Sequence, residues 1–249
     1  MDYKDHFSIR SDEYRRYRPV YPKTLYDKVF SACSRFNRAW DCGCGSGQAT
    51  STLAEHFTEV IATDPSEKQI SRAIQKPNIR YMKAKAEKVP IPDKSIDLIS
   101  VAQALHWFEF EAFFKEVKRV AAKGAVFSAW TYGVHSFQQE KLDSLVQYFY
   151  RGLLESYWPK ERMHVEKKYS SIPFPYSRLE IYSFEMEKEW TLTEMLGYLS
   201  TWSAVQAYRQ EHGADPIDRV YPEFREIWGG DEIKRKIIWP LTLFISKLD

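Results

Sequence analysis

The chain alternates between short apolar runs and longer stretches in which apolar residues recur at every third or fourth position. Short runs of this kind predict β-strands, and the longer stretches predict amphipathic helices. The predicted strands are the run that ends at Asp41, and then Val60–Thr63, Asn78–Met82, Ser95–Val101, Ala125–Tyr132, Leu179–Leu192 and Ile237–Leu248. The predicted helices are Gln48–Phe57, Glu109–Ala122, Gln138–Tyr157 and two within Thr193–Gly229, broken near His212 and Gly213. Strands and helices that alternate in this order predict an α/β fold.

Single residues refine the ends of these elements. Lys123 and Gly124 predict a break before the fifth strand. Pro240 cannot donate a hydrogen bond to a ladder, so it predicts a bulge or the first residue of the seventh strand. Thr193 is the predicted N-cap of the first late helix, although the acid three residues later that completes a capping box is absent. Two prolines predict a loop over Tyr169–Tyr176.

A glycine-rich segment joins the first predicted strand to the first helix. It reads W-D-C-G-C-G-S-G over Trp40–Gly47, and the second strand ends in Asp64. Glycines tolerate positive φ and carry no Cβ, so backbone N–H groups in such a loop can approach a ligand closely. An acid at the end of the second strand can accept both hydroxyls of a ribose. The segment therefore predicts a nucleoside-binding β-α-β unit of the Rossmann type.

The details of the loop favour one nucleoside cofactor. Dinucleotide enzymes use G-x-G-x-x-G, in which the helix N-terminus faces a pyrophosphate. Here the loop is D-x-G-x-G-x-G, and an acid before the first glycine suits a cationic amino group better than a pyrophosphate. The loop resembles motif I of the class I S-adenosylmethionine (SAM) methyltransferases, which implies SAM as cofactor and S-adenosylhomocysteine as product. The cofactor-binding residues implied by this motif are Asp41, Gly43, Gly45 and Gly47.

Two further segments resemble the same family. Asp64-Pro65-Ser66 is similar to its second motif, in which the acid binds the ribose, and Ser66 can cap the helix that follows. Ala86-Glu87 begins a segment similar to the family's A-E-x-L-P loop, which lies against the adenine. Many relatives carry an acid just before that alanine, where Lys85 stands here. The resemblance therefore leaves the backbone of Ala86 as the expected adenine contact.

One segment in the middle of the chain and others nearer its ends resemble a narrower subgroup of this family. Ala102–Phe108 reads A-Q-A-L-H-W-F after the fourth strand, at the carboxyl edge where open α/β sheets bind ligands. It resembles the type 11 domain proteins related to trans-aconitate methyltransferase, a subgroup that acts on small molecules. Asp5–Ser8, Tyr14–Pro22 and Tyr198–Arg209 are similar to the same subgroup.

The resemblance implies a single methyltransferase domain over residues 1–249. Its expected fold is a Rossmann-like sheet of seven strands, mostly parallel, with an antiparallel last strand. Residues 1–36 are expected to form an N-terminal cap segment, 37–132 the SAM-binding core, and 193–229 a helical substrate lid inserted before the last strand. The cap segment and the lid should together cover the carboxyl edge of the sheet.

The expected reaction places few chemical demands on the protein. Methyl transfer from a sulfonium depends mainly on positioning the acceptor and excluding water. From the subgroup resemblance we expect a small-molecule acceptor, and O-methylation of a small carboxylic acid, which is ionised at neutral pH and needs no base. The planar fork of Arg18 suits either that acid or the SAM carboxylate. If the acceptor is a phenol, an alcohol or an amine, a base becomes useful, and His106 is the candidate catalytic residue.

Further side chains complete the candidate site. Gln103, Tyr17 and Arg18 are expected at the cofactor, since tyrosine rings also accommodate a sulfonium. The candidate substrate residues are Tyr14, Tyr21, Trp107 and Trp202. Two alternatives from other classes of function are a regulatory module that binds SAM without turnover, and an NAD oxidoreductase.

Net charge, cysteine content and the length of the apolar runs indicate which classes of partner to expect. The net charge of +2 gives no footprint for nucleic acid, and the chain lacks the N-P-P-Y type motif of adenine methylation after its fourth strand. The three cysteines form neither a disulfide framework nor a paired metal site, so we expect no metal and a reducing, cytoplasmic location. The sequence shows no secretory signal and no long apolar run, so no membrane association is expected. It does not indicate an oligomeric state.

Overall fold

A seven-stranded sheet forms the centre of the protein, and a computed structural model describes residues 17–230 and 232–249. The strands are β1 (Arg38–Cys42), β2 (Glu59–Asp64), β3 (Ile79–Lys83), β4 (Ile96–Ala102), β5 (Ala121–Tyr132), β6 (Glu180–Trp190) and β7 (Arg235–Lys247). Their order across the sheet is β3-β2-β1-β4-β5-β7-β6. Strands β1 to β5 pair in parallel, and β7 runs antiparallel to both β5 and β6. The predicted fold class is confirmed.

Helices lie between the strands. They are α1 (Lys23–Ala32), α2 (Gln48–Leu53), α3 (Glu67–Ile70), α4 (Phe110–Val120), α5 (Glu140–Gln147), α6 (Arg162–Glu166), α7 (Leu192–Ser200), α8 (Ser203–His212) and α9 (Ile217–Trp228). Short 3₁₀ turns span Leu105–Trp107 and Glu155–Tyr157, and a π-helical turn spans Tyr148–Leu153. The single helix predicted over Gln138–Tyr157 is therefore divided into three elements. Within the described ranges, no helix combines the length and the apolar character that a membrane span requires.

The sheet separates two hydrophobic cores. Successive residues of a strand point to opposite faces, so neighbours such as Leu98 and Ile99 belong to different cores. The same division separates Val126 from Phe127 on β5. Burial on both faces explains why the parallel strands read as near-continuous apolar runs.

The predicted break before the fifth strand is wrong, because the strand continues through it. β5 already pairs with β4 at Ala121, opposite Ile96, and the next pair joins Leu98 to Val126. Gly124 lies between these pairs with a φ of +72°, a conformation that glycine adopts without strain. The residues that predict a break instead form a bulge inside one strand.

Pro240 marks neither a bulge nor a strand start. It pairs with Glu185 of β6 in an unbroken register. Its carbonyl accepts a hydrogen bond from the Gly133 N–H at 3.0 Å, just beyond the last pair between β5 and β7, Tyr132 with Leu241. In a β-strand the N–H and the carbonyl of one residue point towards the same neighbouring strand. The N–H that Pro240 lacks would therefore point towards β5, at the place where the pairing of β5 with β7 ends. This position explains why the strand tolerates a proline.

The stretch between β6 and β7 contains three helices in place of the predicted two. The predicted break at Gly213 is present, with a φ of +63°, and a second break separates α7 from α8. The cap of α7 is Thr191 rather than Thr193. The Thr191 hydroxyl accepts from the Glu194 N–H, and the Glu194 carboxylate accepts from the Thr191 N–H at 2.9 Å, which forms a capping box. The prediction was wrong because it placed the end of β6 two residues too late.

Candidate functional site

The glycine loop is held between β1, β2 and the turn that follows β4. The N–H groups of Gly43 and Cys44 donate to the carbonyl of Thr63, at 2.8 and 3.0 Å. A Cβ on Gly43 would lie 2.6 Å from the Cβ of Ala104, and a Cβ on Gly47 would collide with the hydroxyl of Tyr81. Both glycines also have positive φ, so these positions require glycine for packing as well as for conformation.

Gly45 differs from the other two loop glycines. It has a φ of +53°, and among the described residues no atom outside its chain neighbours lies within 4 Å of the place where its Cβ would stand. The backbone at the tip of the loop is therefore open on the side that a side chain would fill. Such a cradle allows a ligand to approach the main chain closely, as the sequence predicts.

Asp64 is fixed at the end of β2 by two backbone donors. Its Oδ2 accepts from the Gly45 N–H at 2.9 Å, and its Oδ1 accepts from the Ser66 N–H at 2.8 Å. Ser66 in turn caps α3, since its hydroxyl accepts from the Gln69 N–H at 3.3 Å. Pro65, half-buried, lies between these contacts. These two bonds use two of about four acceptor positions on a carboxylate, and they orient the group beside the open glycine.

Asp41 is completely buried at the end of β1. Its Oδ2 accepts from the Thr50 hydroxyl at 2.5 Å, whereas its Oδ1 has no partner within residues 17–230 and 232–249. Burial raises the pKa of Asp41 to about 7, the Thr50 hydroxyl opposes that shift, and the charge of Asp64 adds to it. An adjacent cation would favour the ionised form, so this acid suits a positively charged ligand group.

The backbone that follows β4 is held in place by Gln103, whose conformation is unusual. Gln103 has a φ of +54°, which is uncommon outside glycine and costs about 1–3 kcal/mol. Its side-chain amide pairs with the backbone of Tyr132, accepting from the N–H at 2.7 Å and donating to the carbonyl at 3.2 Å. Gln103 therefore joins the carboxyl ends of β4 and β5 and positions the 3₁₀ turn that follows.

His106 lies in that turn and is buried. Its Nδ1 is 2.9 Å from the hydroxyl of Tyr169. Burial lowers the pKa of His106 well below its usual value, and the positive charge of Arg162 and the neighbouring His164 lower it further. The imidazole is therefore neutral at pH 7. Trp107 is half-buried beside it, with the two rings 4.8 Å apart.

The segment before α1 connects strand β5 to the late helices. Arg18 donates to the Tyr132 hydroxyl at 2.5 Å and to the Thr201 carbonyl at 3.3 Å, and its guanidinium lies 5.5 Å from the Tyr198 ring centre. The ring of Tyr17 lies against Gly197 of α7. Tyr21 is buried, with its ring 5.4 Å from that of Trp130. Tyr14, the remaining predicted tyrosine, lies outside the described residues.

The predicted adenine segment is placed beside α4. Ala86 is buried. The Glu87 carboxylate accepts from the N–H of Glu109, the N-cap residue of α4, at 3.0 Å. Lys85 forms an isolated antiparallel bridge with Lys88. The side chain of Glu87 therefore stabilises the start of helix α4. The backbone of Ala86 is the part of this segment that is suited to contact the adenine ring.

Trp202 lies in a cluster of aromatic rings. Its ring centre is 5.6 Å from Tyr150, 5.5 Å from Trp158 and 5.9 Å from Tyr198. His135 also contacts this cluster, and neither of its ring nitrogens has a partner in the part of the chain that the structure describes.

Sequence reasoning missed several of these residues. Tyr132 could have been found, since it ends a parallel strand at the ligand-binding edge. Tyr169, Arg162 and His135 carry no local signal, and their positions follow only from long-range packing.

Taken together, the residues around the loop fit the cofactor that the sequence implies. They provide an open backbone at Gly45, a fixed acid at Asp64 and a buried acid at Asp41 with one oxygen without a partner among the described residues. These features suit a ribose and a cationic group. Over residues 17–230 and 232–249, no group of three or more His, Cys, Asp or Glu side chains is arranged to hold a metal.

Known proteins resemble this chain along most of its length. Residues 40–129 match the family described as a methyltransferase domain. A Dictyostelium discoideum protein named as a methyltransferase is 31% identical over 255 residues, which cover 98% of this chain and 95% of that protein. A solved structure from Anaeromyxobacter dehalogenans, named as a type II methyltransferase, is 43% identical, with a TM-score of 0.84 over 92% of this chain and 97% of that chain. A Saccharomyces cerevisiae protein named as an S-adenosylmethionine-dependent methyltransferase is 31% identical over 50% of this chain and 46% of that protein.

Proposed function

This chain belongs to the class I SAM-dependent methyltransferases, and we propose that its acceptor is a small organic acid, methylated on a carboxylate oxygen. SAM is the cofactor, and it supplies the methyl group as an electrophile. The narrower resemblance to the trans-aconitate subgroup stays a prediction, and it favours the same acceptor class.

The observation that carries the proposal is the state of His106. Its Nδ1 already contacts Tyr169, and its pKa is lowered well below the usual value by burial and by the positive charge of Arg162. A base of low pKa removes a proton from a phenol, an alcohol or an ammonium group poorly. A carboxylate needs no base, and the positive charge of Arg162, which adds to the larger effect of burial on His106, would attract an anion. The carboxylic acid therefore fits better than the alternatives that need His106 as a base.

Each cofactor contact is assigned from the chemistry of the residue present. Asp64 would accept the ribose hydroxyls, with Pro65 and Ser66 holding its turn. The backbone at Gly43, Gly45 and Gly47 would lie along the methionine portion, with Asp41 compensating its ammonium group and Arg18 pairing with its carboxylate. The backbone of Ala86 would contact the adenine. Gln103 would position the turn that carries His106, and Tyr17 would hold the cap segment in place.

The late helices would limit the access of water. Arg18 joins the segment before α1 to Thr201 at the end of α7, and Tyr17 packs on the same helix. On this basis we assign residues 193–229 as the substrate lid and residues 17–36 as part of the predicted cap. Residues 1–16 of that cap lie outside the described residues. Tyr21 and Trp202 would then stiffen the walls through their ring contacts, and Trp107 would line the opening. Water exclusion strengthens every electrostatic contact with the acceptor.

A direct test is to incubate the purified chain with SAM labelled in its methyl group and a panel of small carboxylic acids. Each acid is paired with its primary amide, which has the same shape without the charge. We expect a methyl ester, identified by its mass and by its loss on mild alkaline hydrolysis, from at least one acid and none of the amides. Phenols and amines are tested in parallel. Methylation of these compounds alone would refute the proposal and would favour an acceptor that must lose a proton.

A further inference from the structure

A cavity lies between the π-helical turn and α6, and its lining does not include the glycine-loop residues. Its volume is about 210 Å³. The side chains that line it include Tyr150, Arg151, Trp158, Lys160, Arg162 and Glu166. The roles assigned above do not use this cavity.

Arg162 is held in the cavity wall by aromatic groups. Its Nε donates to the Tyr150 hydroxyl at 2.8 Å, and that hydroxyl donates to Glu166 at 2.9 Å. The guanidinium lies 5.4 Å from the ring centre of Tyr150 and 4.8 Å from that of Trp158. The hydrogen bond from Nε and the contacts of the guanidinium face with the two aromatic rings together fix the orientation of the guanidinium plane.

The remaining donors of Arg162 are not used by the described part of the chain. No carboxylate there forms an ion pair with Arg162, and its terminal nitrogens have no hydrogen-bond acceptor there. A guanidinium carries five N–H donors in a rigid fork, which matches a carboxylate through two parallel hydrogen bonds. Arg162 is therefore an oriented cation without an anionic partner in the described residues.

The other charges of the cavity favour an anion. Three basic side chains line it, against the acids Glu155 and Glu166. Glu166 accepts the Tyr150 hydroxyl, so one of its oxygens is already engaged. The lining is thus positive by one charge.

Two structural links connect the cavity to the reaction site. Helix α6 packs against the 3₁₀ turn that carries His106. Trp202 contacts Tyr150 and Trp158 on the cavity side and Tyr198 on the other, and Arg18 lies over Tyr198. After burial, the positive charge of Arg162 is also a cause of the lowered pKa of His106. An acid held at Arg162 would therefore lie beside the exit of β4.

We propose that this cavity recognises the carboxylate of the methyl acceptor, with Arg162 as the specificity-determining residue. The inference rests on the proposed function, since it names the part of the protein that holds the acid. It assigns the aromatic rings of Tyr150 and Trp158 the task of orienting the guanidinium.

The test measures binding of carboxylates directly. Two matched pairs serve as probes: benzoate with benzamide, and succinate with succinamide. They are titrated to 50 mM into the isotope-labelled protein saturated with S-adenosylhomocysteine, and binding is followed through the indole N–H signals in NMR spectra. The variants are Arg162→Gln and, as a matched control, Arg219→Gln, because Arg219 also lies over a tyrosine ring, 5.9 Å from Tyr208, but does not line the cavity.

We expect at least one acid to bind at least tenfold more tightly than its amide, Arg162→Gln to weaken that binding about tenfold or more, and Arg219→Gln to leave it unchanged. Affinity for S-adenosylhomocysteine should be equal in all three proteins, which shows that they are folded. Absence of acid binding to the wild type, equal binding of acid and amide, or unchanged binding in Arg162→Gln would each overturn the inference.

The same variants separate the two proposals. If acids bind at Arg162 but no methyl ester forms, the proposed function fails and the anion site stands. If an acid is methylated with the same KM by the wild type and Arg162→Gln, the proposed function stands and this inference fails.

Discussion

The stability of the protein should fall in mild acid because of one buried imidazole, that of His135. Its ring is surrounded by the rings of Phe137, Tyr198, Trp202 and Trp239, and neither ring nitrogen has a partner among the described residues. Burial lowers the pKa of His135 to about 3. In the unfolded chain the imidazole titrates near its ordinary value of about 6.5. The unfolded state therefore binds the proton more readily than the folded state between these values.

The sign and the size of the pH effect on the free energy of unfolding follow from the difference between these two pKa values. Above pH 6.5 neither state is protonated at His135, and the residue causes no pH dependence. As the pH falls below about 6.5, protons stabilise the unfolded chain, and each pH unit costs about 1.4 kcal/mol. At pH 5 the interval is about 1.5 units, so His135 should reduce the free energy of unfolding by about 2 kcal/mol.

The assay is chemical unfolding of the wild type and of His135→Leu at pH 7.5 and at pH 5.0. Leucine has nearly the same volume and leaves no polar atoms without partners, so the variant should be as stable as the wild type, or more stable, at pH 7.5. The loss on acidification should be about 2 kcal/mol smaller in the variant. His106, which is also buried with a lowered pKa, is present in both proteins and cancels in the difference. Equal losses in the two proteins would refute the reasoning.

Three further substitutions have expected outcomes. Asp64→Ala should weaken SAM binding by about 1–3 kcal/mol, because the ribose hydroxyls lose their acceptor, and calorimetric titration measures it; unchanged affinity would remove the ribose assignment. His106→Ala should leave kcat within about tenfold on a carboxylic acid, since the acceptor needs no deprotonation, and a loss of about 10²-fold or more that depends on pH would instead identify a base. Gly47→Ala should lower the free energy of unfolding by about 1–3 kcal/mol more than Gly45→Ala, because only the former collides with Tyr81, as equilibrium unfolding would show; equal losses would contradict the packing argument.

The sequence predicted the parts of the site that are contiguous along the chain. The glycine loop, Asp64 and the Ser66 cap lie within a single β-α-β unit, where the residue types determine the backbone almost alone. The short apolar runs likewise predicted the strands, and the signal is strongest for a central strand such as β4, which is buried on both faces.

Contacts between distant parts of the chain could not be predicted in this way. The hydrogen bond from Arg18 to Tyr132 and the contact of His106 with Tyr169 each join residues far apart in sequence. No local pattern specifies which side chains meet across the edge of a sheet. Gly124 shows the same limit inside an element, because a glycine that ends a strand and one that forms a bulge look alike until the partner strand is known.

The contact between Tyr17 and Gly197 has a consequence for related sequences. A Cβ on Gly197 would lie 2.7 Å from the Tyr17 ring, so the two positions cannot both carry large side chains with the backbone as it is. Substitution at one position should therefore be compensated at the other. Among homologues, an alanine or serine in place of Gly197 should accompany a smaller, non-aromatic residue in place of Tyr17. Paired variation at two sites so far apart in sequence would show that the segment before α1 and helix α7 evolve together.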